Sequence, residues 1–120
     1  MINWNNLDTL TSFKELSEVE RVNLAEVMSG ENGAERVKDY SVPMTEDLTY
    51  NYAAKAVDDK VLAALAKLAK EAQLTEKYAA LYNGEVINTG EKRLVLHQLT
   101  RGQLGDKVEA DGVDKREFYV

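Results

Sequence analysis

The chain has no cysteine, one proline and one histidine, and its 15 basic residues are outnumbered by 21 acidic ones. Without cysteine there is no disulfide framework, no thiolate nucleophile and no thiolate metal ligand. His97, the single imidazole, has no second metal-ligating partner of its own kind, which argues against a metal cluster and leaves no nucleophile–base pair in view. The net charge of −6 repels phosphate backbones and anionic lipid surfaces, so nucleic acid and membrane drop out as partners, although a local basic patch can still hold a small anion. No apolar run approaches the roughly 20 residues that span a bilayer. Met1, Ile2, Asn3, Trp4, Asn5 and Asn6 supply neither the basic region nor the apolar core of a signal peptide. Together these absences predict a cytoplasmic protein without cofactor or metal.

What is present is globular. A length of 120 residues, 44% hydrophobic and 30% charged, fits one domain and is too short for two ordinary ones. No internal repeat or low-complexity tract interrupts it. Leu7, Leu10, Phe13, Leu16 and Val19 recur at helical spacing, followed by Val22, Leu24, Val27 and Met28. Ser29, Gly30, Glu31, Asn32 and Gly33 form a breaker cluster. Tyr40, Val42 and Met44, then Leu48, Tyr50 and Tyr52, alternate with period two around Thr45, Glu46 and Asp47. That pattern predicts a hairpin in which Pro43 confines the first strand to an edge.

The clearest helix should begin after Asp58 as N-cap, with Asp59 favoured by the helix dipole and Val61, Leu62, Leu65, Leu68, Ala69 and Ala72 on one face. A second helix is expected with Thr75 as cap and Tyr78, Leu81 and Tyr82 inward, ending at Asn83 and Gly84. Residues 93–100 fit helix or strand equally. Asp111 and Gly112 mark a turn, and the chain finishes on Phe118, Tyr119 and Val120. The fold class expected is mainly α with a small β-hairpin element, an α+β arrangement.

Few residues invite a chemical role. Arg93 and Arg101 would share one face if their segment were helical, and two guanidiniums can hold a phosphate. Ion pairing with Glu85, Glu91 or Asp106 is the favoured reading. His97, flanked by Val95, Leu96 and Leu99, reads as a partly buried ring bonded to backbone or carboxylate. Gly84, Gly90, Gly102 and Gly105 do not make a phosphate-cradling motif. The acidic pairs Asp58/Asp59 and Glu18/Glu20 are better explained as caps and solvated faces than as acid/base pairs.

Residues 84–101 nevertheless carry a recognisable pattern: Gly84, Glu85, Ile87 and Asn88, then Glu91, Arg93, Val95, Leu96 and His97, then Arg101. It resembles the N-terminal signature of the glucose-6-phosphate isomerase (phosphoglucose isomerase) family. Similarity extends from about residue 40 to the end, through the helix at 58–72 and an Ala110-Asp111-Gly112-x-Asp114 turn; Gly90 stands where many members carry Thr. The resemblance implies residues 1–120 as the N-terminal segment of a larger α/β, two-domain sugar-isomerase fold, with the catalytic domains absent from this chain. It also implies a cofactor-free aldose–ketose isomerase of glycolysis and gluconeogenesis that interconverts glucose 6-phosphate and fructose 6-phosphate through a cis-enediol. The expected partners are the remainder of the isomerase chain, a second subunit and a sugar phosphate.

The family's catalytic residues lie in segments with no counterpart here, so none is assigned. The eight signature positions Gly84, Glu85, Ile87, Asn88, Glu91, Arg93, His97 and Arg101 are read as structural, and the isolated chain as inactive. The apolar ending predicts that Val120 is a truncation point. The competing expectation is a self-contained acidic helical interaction module without enzymatic activity.

Overall fold

The computed structural model of the chain describes residues 1–101 and 107–119. Two compact units divide it, residues 11–67 and residues 1–10 with 68–120, the division falling within one helix. Helices alternate with three separate two-stranded antiparallel sheets, the mainly α, α+β character expected.

Within residues 11–67, α1 (Thr11–Glu18) is followed by α2 (Leu24–Ser29) and α3 (Gly33–Asp39). The periodic run that begins at Leu7 is not one helix. Leu7–Thr9 forms a separate 3-10 turn, Leu10 is extended, and α1 starts only at Thr11. The Asn23 side chain accepts from the Glu26 amide at the start of α2, and the breaker cluster separates α2 from α3. The hairpin pairs β1 (Ser41–Thr45) with β2 (Leu48–Asn51), in register from Ser41↔Asn51 to Thr45↔Leu48 and irregular between Pro43 and Thr45. A ring that lacks an N–H is tolerated there because a two-stranded sheet consists only of edges.

α4 (Asp59–Glu71) begins where the caps require. The Asp58 carboxylate accepts from the Val61 amide at 2.8 Å, satisfying one of the donors a helix start leaves unpaired. Val61, Leu62, Leu68 and Ala69 are half-buried and Ala72 is buried, whereas Lys60, Lys67 and Lys70 are exposed. Leu65, expected on the same apolar face, is 40% exposed, so the stripe is shielded at its two ends and open at its middle. Lys67 pairs with Glu15 at 2.5 Å, both side chains solvated.

In residues 68–119, α5 (Leu74–Tyr82) corrects two expectations. Thr75 lies inside the helix and does not cap it; Gln73 occupies the cap position in a left-handed conformation with φ 53°. Its side-chain oxygen instead accepts from the Asn3 amide. Tyr78 is not inward but 61% exposed. It leans on Tyr82 with ring centroids 5.2 Å apart, and the i, i+4 aromatic pair holds together on the helix surface. The core of this unit gathers Ala72, Ala80, Leu99 and Val108.

Candidate functional site

The signature starts where α5 stops. Gly84 adopts φ +74°; its amide donates to the Leu81 carbonyl at 3.2 Å, and the Glu85 amide reaches the Ala80 carbonyl at 2.9 Å. This is a Schellman closure, which needs a left-handed residue at the Gly84 position. Space imposes the same choice, because a Cβ on Gly84 would lie 2.3 Å from Val108 Cγ1.

From there β3 (Val86–Asn88) pairs with β4 (Arg93–Leu94). The loop between them is closed by one side-chain exchange. Asn88 Oδ1 accepts from the Glu91 amide, and Asn88 Nδ2 donates to Glu91 Oε2, both at 3.2 Å. The same carboxylate oxygen stands 3.8 Å from an Arg93 terminal nitrogen, with both side chains well exposed. Of the three acids expected to pair with the arginines, Glu91 alone does so among the described residues; Asp106 lies outside them, as do Gly102 and Gly105.

Residues 93–101 turn out to be strand and then helix: β4 is followed by a 3-10 segment, His97–Arg101. Leu99 is fully buried and the Gln98 side chain donates from Nε2 to the Leu81 carbonyl at 3.0 Å, which anchors the segment to the end of α5. Two expectations fail here. His97 is exposed, not partly buried; no bond to its ring is found among the described residues, and only its carbonyl is engaged, by the Thr100 hydroxyl at 2.8 Å. Arg93 and Arg101 do not share a helix face, because the segment changes conformation between them.

The side chains separate into two open clefts. One, of about 450 Å³, is lined by Arg93, Leu94, Leu96, His97, Thr100, Asp111 and Lys115. The other, of about 320 Å³, has Arg101 beside Tyr78, Tyr82 and Val95, with His97 on the shared rim. Lys115 was not singled out from sequence; its one local signal is its place directly after the Asp111–Asp114 turn. That turn joins β5 (Glu109–Ala110) to β6 (Val113–Asp114). Asp111 and Gly112 both have positive φ, the type I′ geometry that Asp-Gly favours. α6 (Lys115–Tyr119) follows, and the Lys115 amide bonds to the Val108 carbonyl at 2.8 Å. Tyr78 holds its phenol proton more tightly than usual because of its hydrogen bond and charge interaction with Tyr82. Lys107 is likewise held in its charged form by the Glu109 carboxylate.

Residues 11–67 contain a second polar centre that sequence reading missed. Arg36 is 9% exposed. Its Nε donates to the Ala53 carbonyl at 2.9 Å, and Nη2 donates to the carbonyls of Lys55 and Val57 at 3.0 and 2.7 Å. The guanidinium carbon also lies 4.3 Å from the centre of the Tyr40 ring. One fork thus satisfies a loop that has no strand partner. Among the described residues no group of histidine and carboxylate side chains is placed to hold a metal.

A small α+β unit with a Gly-closed helix, an Asn–Glu-locked loop and a partly basic cleft fits a segment of a larger isomerase. A family model described as phosphoglucose isomerase matches residues 51–117. Curated relatives agree: the glucose-6-phosphate isomerase of Treponema denticola is 52% identical over 98% of this chain, that of Treponema pallidum 47% over 99%, and that of Borreliella afzelii 40% over 99%. The chain belongs to the phosphoglucose isomerase family. It spans about a fifth of the length of these relatives, 22–23%, and corresponds to their N-terminal part.

Proposed function

We propose that this chain serves as the N-terminal part of a cytoplasmic glucose-6-phosphate isomerase and acts there through shape rather than chemistry. The reaction is the exchange of glucose 6-phosphate and fructose 6-phosphate through a cis-enediol, carried by residues outside this segment and completed with a second subunit. The observation that supports this most is the use to which the signature is put. Gly84 closes a helix against Val108, and Asn88 and Glu91 lock a loop by bonding to each other. These are backbone tasks. The same family match reaches across them, from residue 51 to residue 117.

A chimera tests it. Residues 1–120 replace the corresponding N-terminal part of the Treponema denticola enzyme, and isomerase activity and melting temperature are measured. The chimera should turn over fructose 6-phosphate with the KM of the parent. Introducing Arg36→Met should then lower the melting temperature and leave KM alone. A well-folded chimera with no activity, or an Arg36→Met chimera with raised KM and unchanged melting temperature, would contradict a supporting role.

A further inference from the structure

Two of the sequence elements that carry the family likeness, the signature at 84–101 and the Asp-Gly turn at 110–114, meet at a single cleft. Arg93 comes from β4, His97 from the 3-10 segment and Lys115 from the start of α6, and all three line it. In a chain of net charge −6, such a convergence of nitrogen donors is against the average. Among the described residues Asp111 is the one carboxylate on the cleft wall. Arg93 meets Glu91 only at 3.8 Å through one terminal nitrogen, with 75% of its side chain exposed, which leaves most of its donor fork available. Among the described residues Lys115 has no ion-pair partner. The Thr100 hydroxyl is not a donor to the cleft, since it donates to the His97 carbonyl.

We propose that the cleft lined by Arg93, His97 and Lys115 binds a tetrahedral oxyanion, as inorganic phosphate or as the phosphate of a small phosphorylated metabolite. A planar guanidinium presents two parallel donors to two oxygens of such a group, and an ammonium supplies a point charge to a third. The open volume of about 450 Å³ accommodates a phosphate together with a small organic body. Leu94 and Leu96 furnish the apolar wall against which that body can rest. Arg101, which the sequence paired with Arg93, faces the other cleft and takes no part. This site concerns binding by the chain itself, and its fate is independent of where the isomerase reaction is catalysed.

The test uses the only histidine as its own reporter. Proton NMR of the His97 ring in the 120-residue chain is followed during titration with inorganic phosphate, with glucose 6-phosphate, and with sodium chloride at matched ionic strength. Phosphate should move the ring signals along a saturable curve that chloride does not reproduce. A tighter curve with glucose 6-phosphate identifies a phosphorylated metabolite as the ligand; equal curves identify phosphate alone. Lys115→Gln and Arg93→Gln should each weaken binding about tenfold or more, the size of a lost charge-assisted hydrogen bond. Arg101→Gln should not weaken it. Backbone amide spectra show at once whether each variant keeps the fold. A shift that chloride reproduces, or equal weakening by Arg101→Gln in a folded chain, would overturn the site.

Discussion

Gly84 and Val108 sit so close that the glycine's missing side chain is itself part of the packing: a Cβ would come within 2.3 Å of Val108 Cγ1. The same glycine holds φ +74°. Gly84→Ala therefore meets two penalties, overpacking at about 1–3 kcal/mol and a left-handed Ala at about 1 kcal/mol. Urea denaturation should show a loss of about 2–4 kcal/mol. Gly90→Thr is the contrast, since its nearest neighbour would be Asn88 Oδ1 at 3.8 Å and its φ is not positive. It should change stability by less than about 0.5 kcal/mol.

Arg36→Met keeps the length of the side chain and removes the fork. The carbonyls of Ala53, Lys55 and Val57 then lose their donors, and charge-assisted bonds of this kind contribute about 1.5–3 kcal/mol each before solvent rescues the more exposed ones. We expect a net loss of about 2–4 kcal/mol by chemical denaturation. Arg36→Lys should recover less than half of it, because an ammonium cannot serve the same three acceptors from one plane.

Removal of the α4 cap is a smaller change. Asp58→Ala leaves the Val61 amide without its 2.8 Å acceptor and should cost about 1 kcal/mol. Asp58→Asn, which still accepts, should cost less than Asp58→Ala in the same melt.

Tyr40 gives a prediction at alkaline pH. Burial, then its hydrogen bond to Asp59 at 3.2 Å and the charge of that carboxylate, raise its phenol above the ordinary value of 10.0. A raised folded-state pKa favours the neutral phenol in the folded chain. The resulting stability is fully present below the unfolded value near 10 and is lost as pH rises through the folded value. Ultraviolet titration should find Tyr40 and Tyr78 ionising later than an ordinary tyrosine, and Asp59→Asn should bring the Tyr40 step alone earlier. A titration in which Asp59→Asn leaves every tyrosine unmoved would remove Asp59 as a cause.

Much of the fold was legible because it rests on local backbone chemistry. The Asp58 cap, the Gly84 stop and the Asp111-Gly112 turn are each decided within a few residues by a side-chain acceptor or a positive φ, and the hairpin around Glu46 and Asp47 shows in the period-two alternation of its flanks. What escaped depends on partners distant in the chain. Arg36 meets carbonyls 17 to 21 residues away; the one local hint was Tyr40 at i+4, under its guanidinium. Tyr78 has helical spacing that suits a core, but whether that face is covered is settled by neighbours the spacing does not reveal. His97 fails for the same reason. It stands among apolar residues in sequence, but the short 3-10 segment turns Leu99 inward and leaves the ring in solvent. In the candidate cleft, Arg93 and His97 were visible as a motif, whereas Lys115 joins them only through the β5–β6 turn.

The most direct measurement is a coupled assay on the purified 120-residue chain, supplying fructose 6-phosphate and following NADPH through glucose-6-phosphate dehydrogenase. A folded chain that yields no NADPH above blank is the result predicted for a segment that supports catalysis and does not perform it. Turnover that disappears on His97→Ala, with circular dichroism unchanged, would place a working site within these residues and contradict the account.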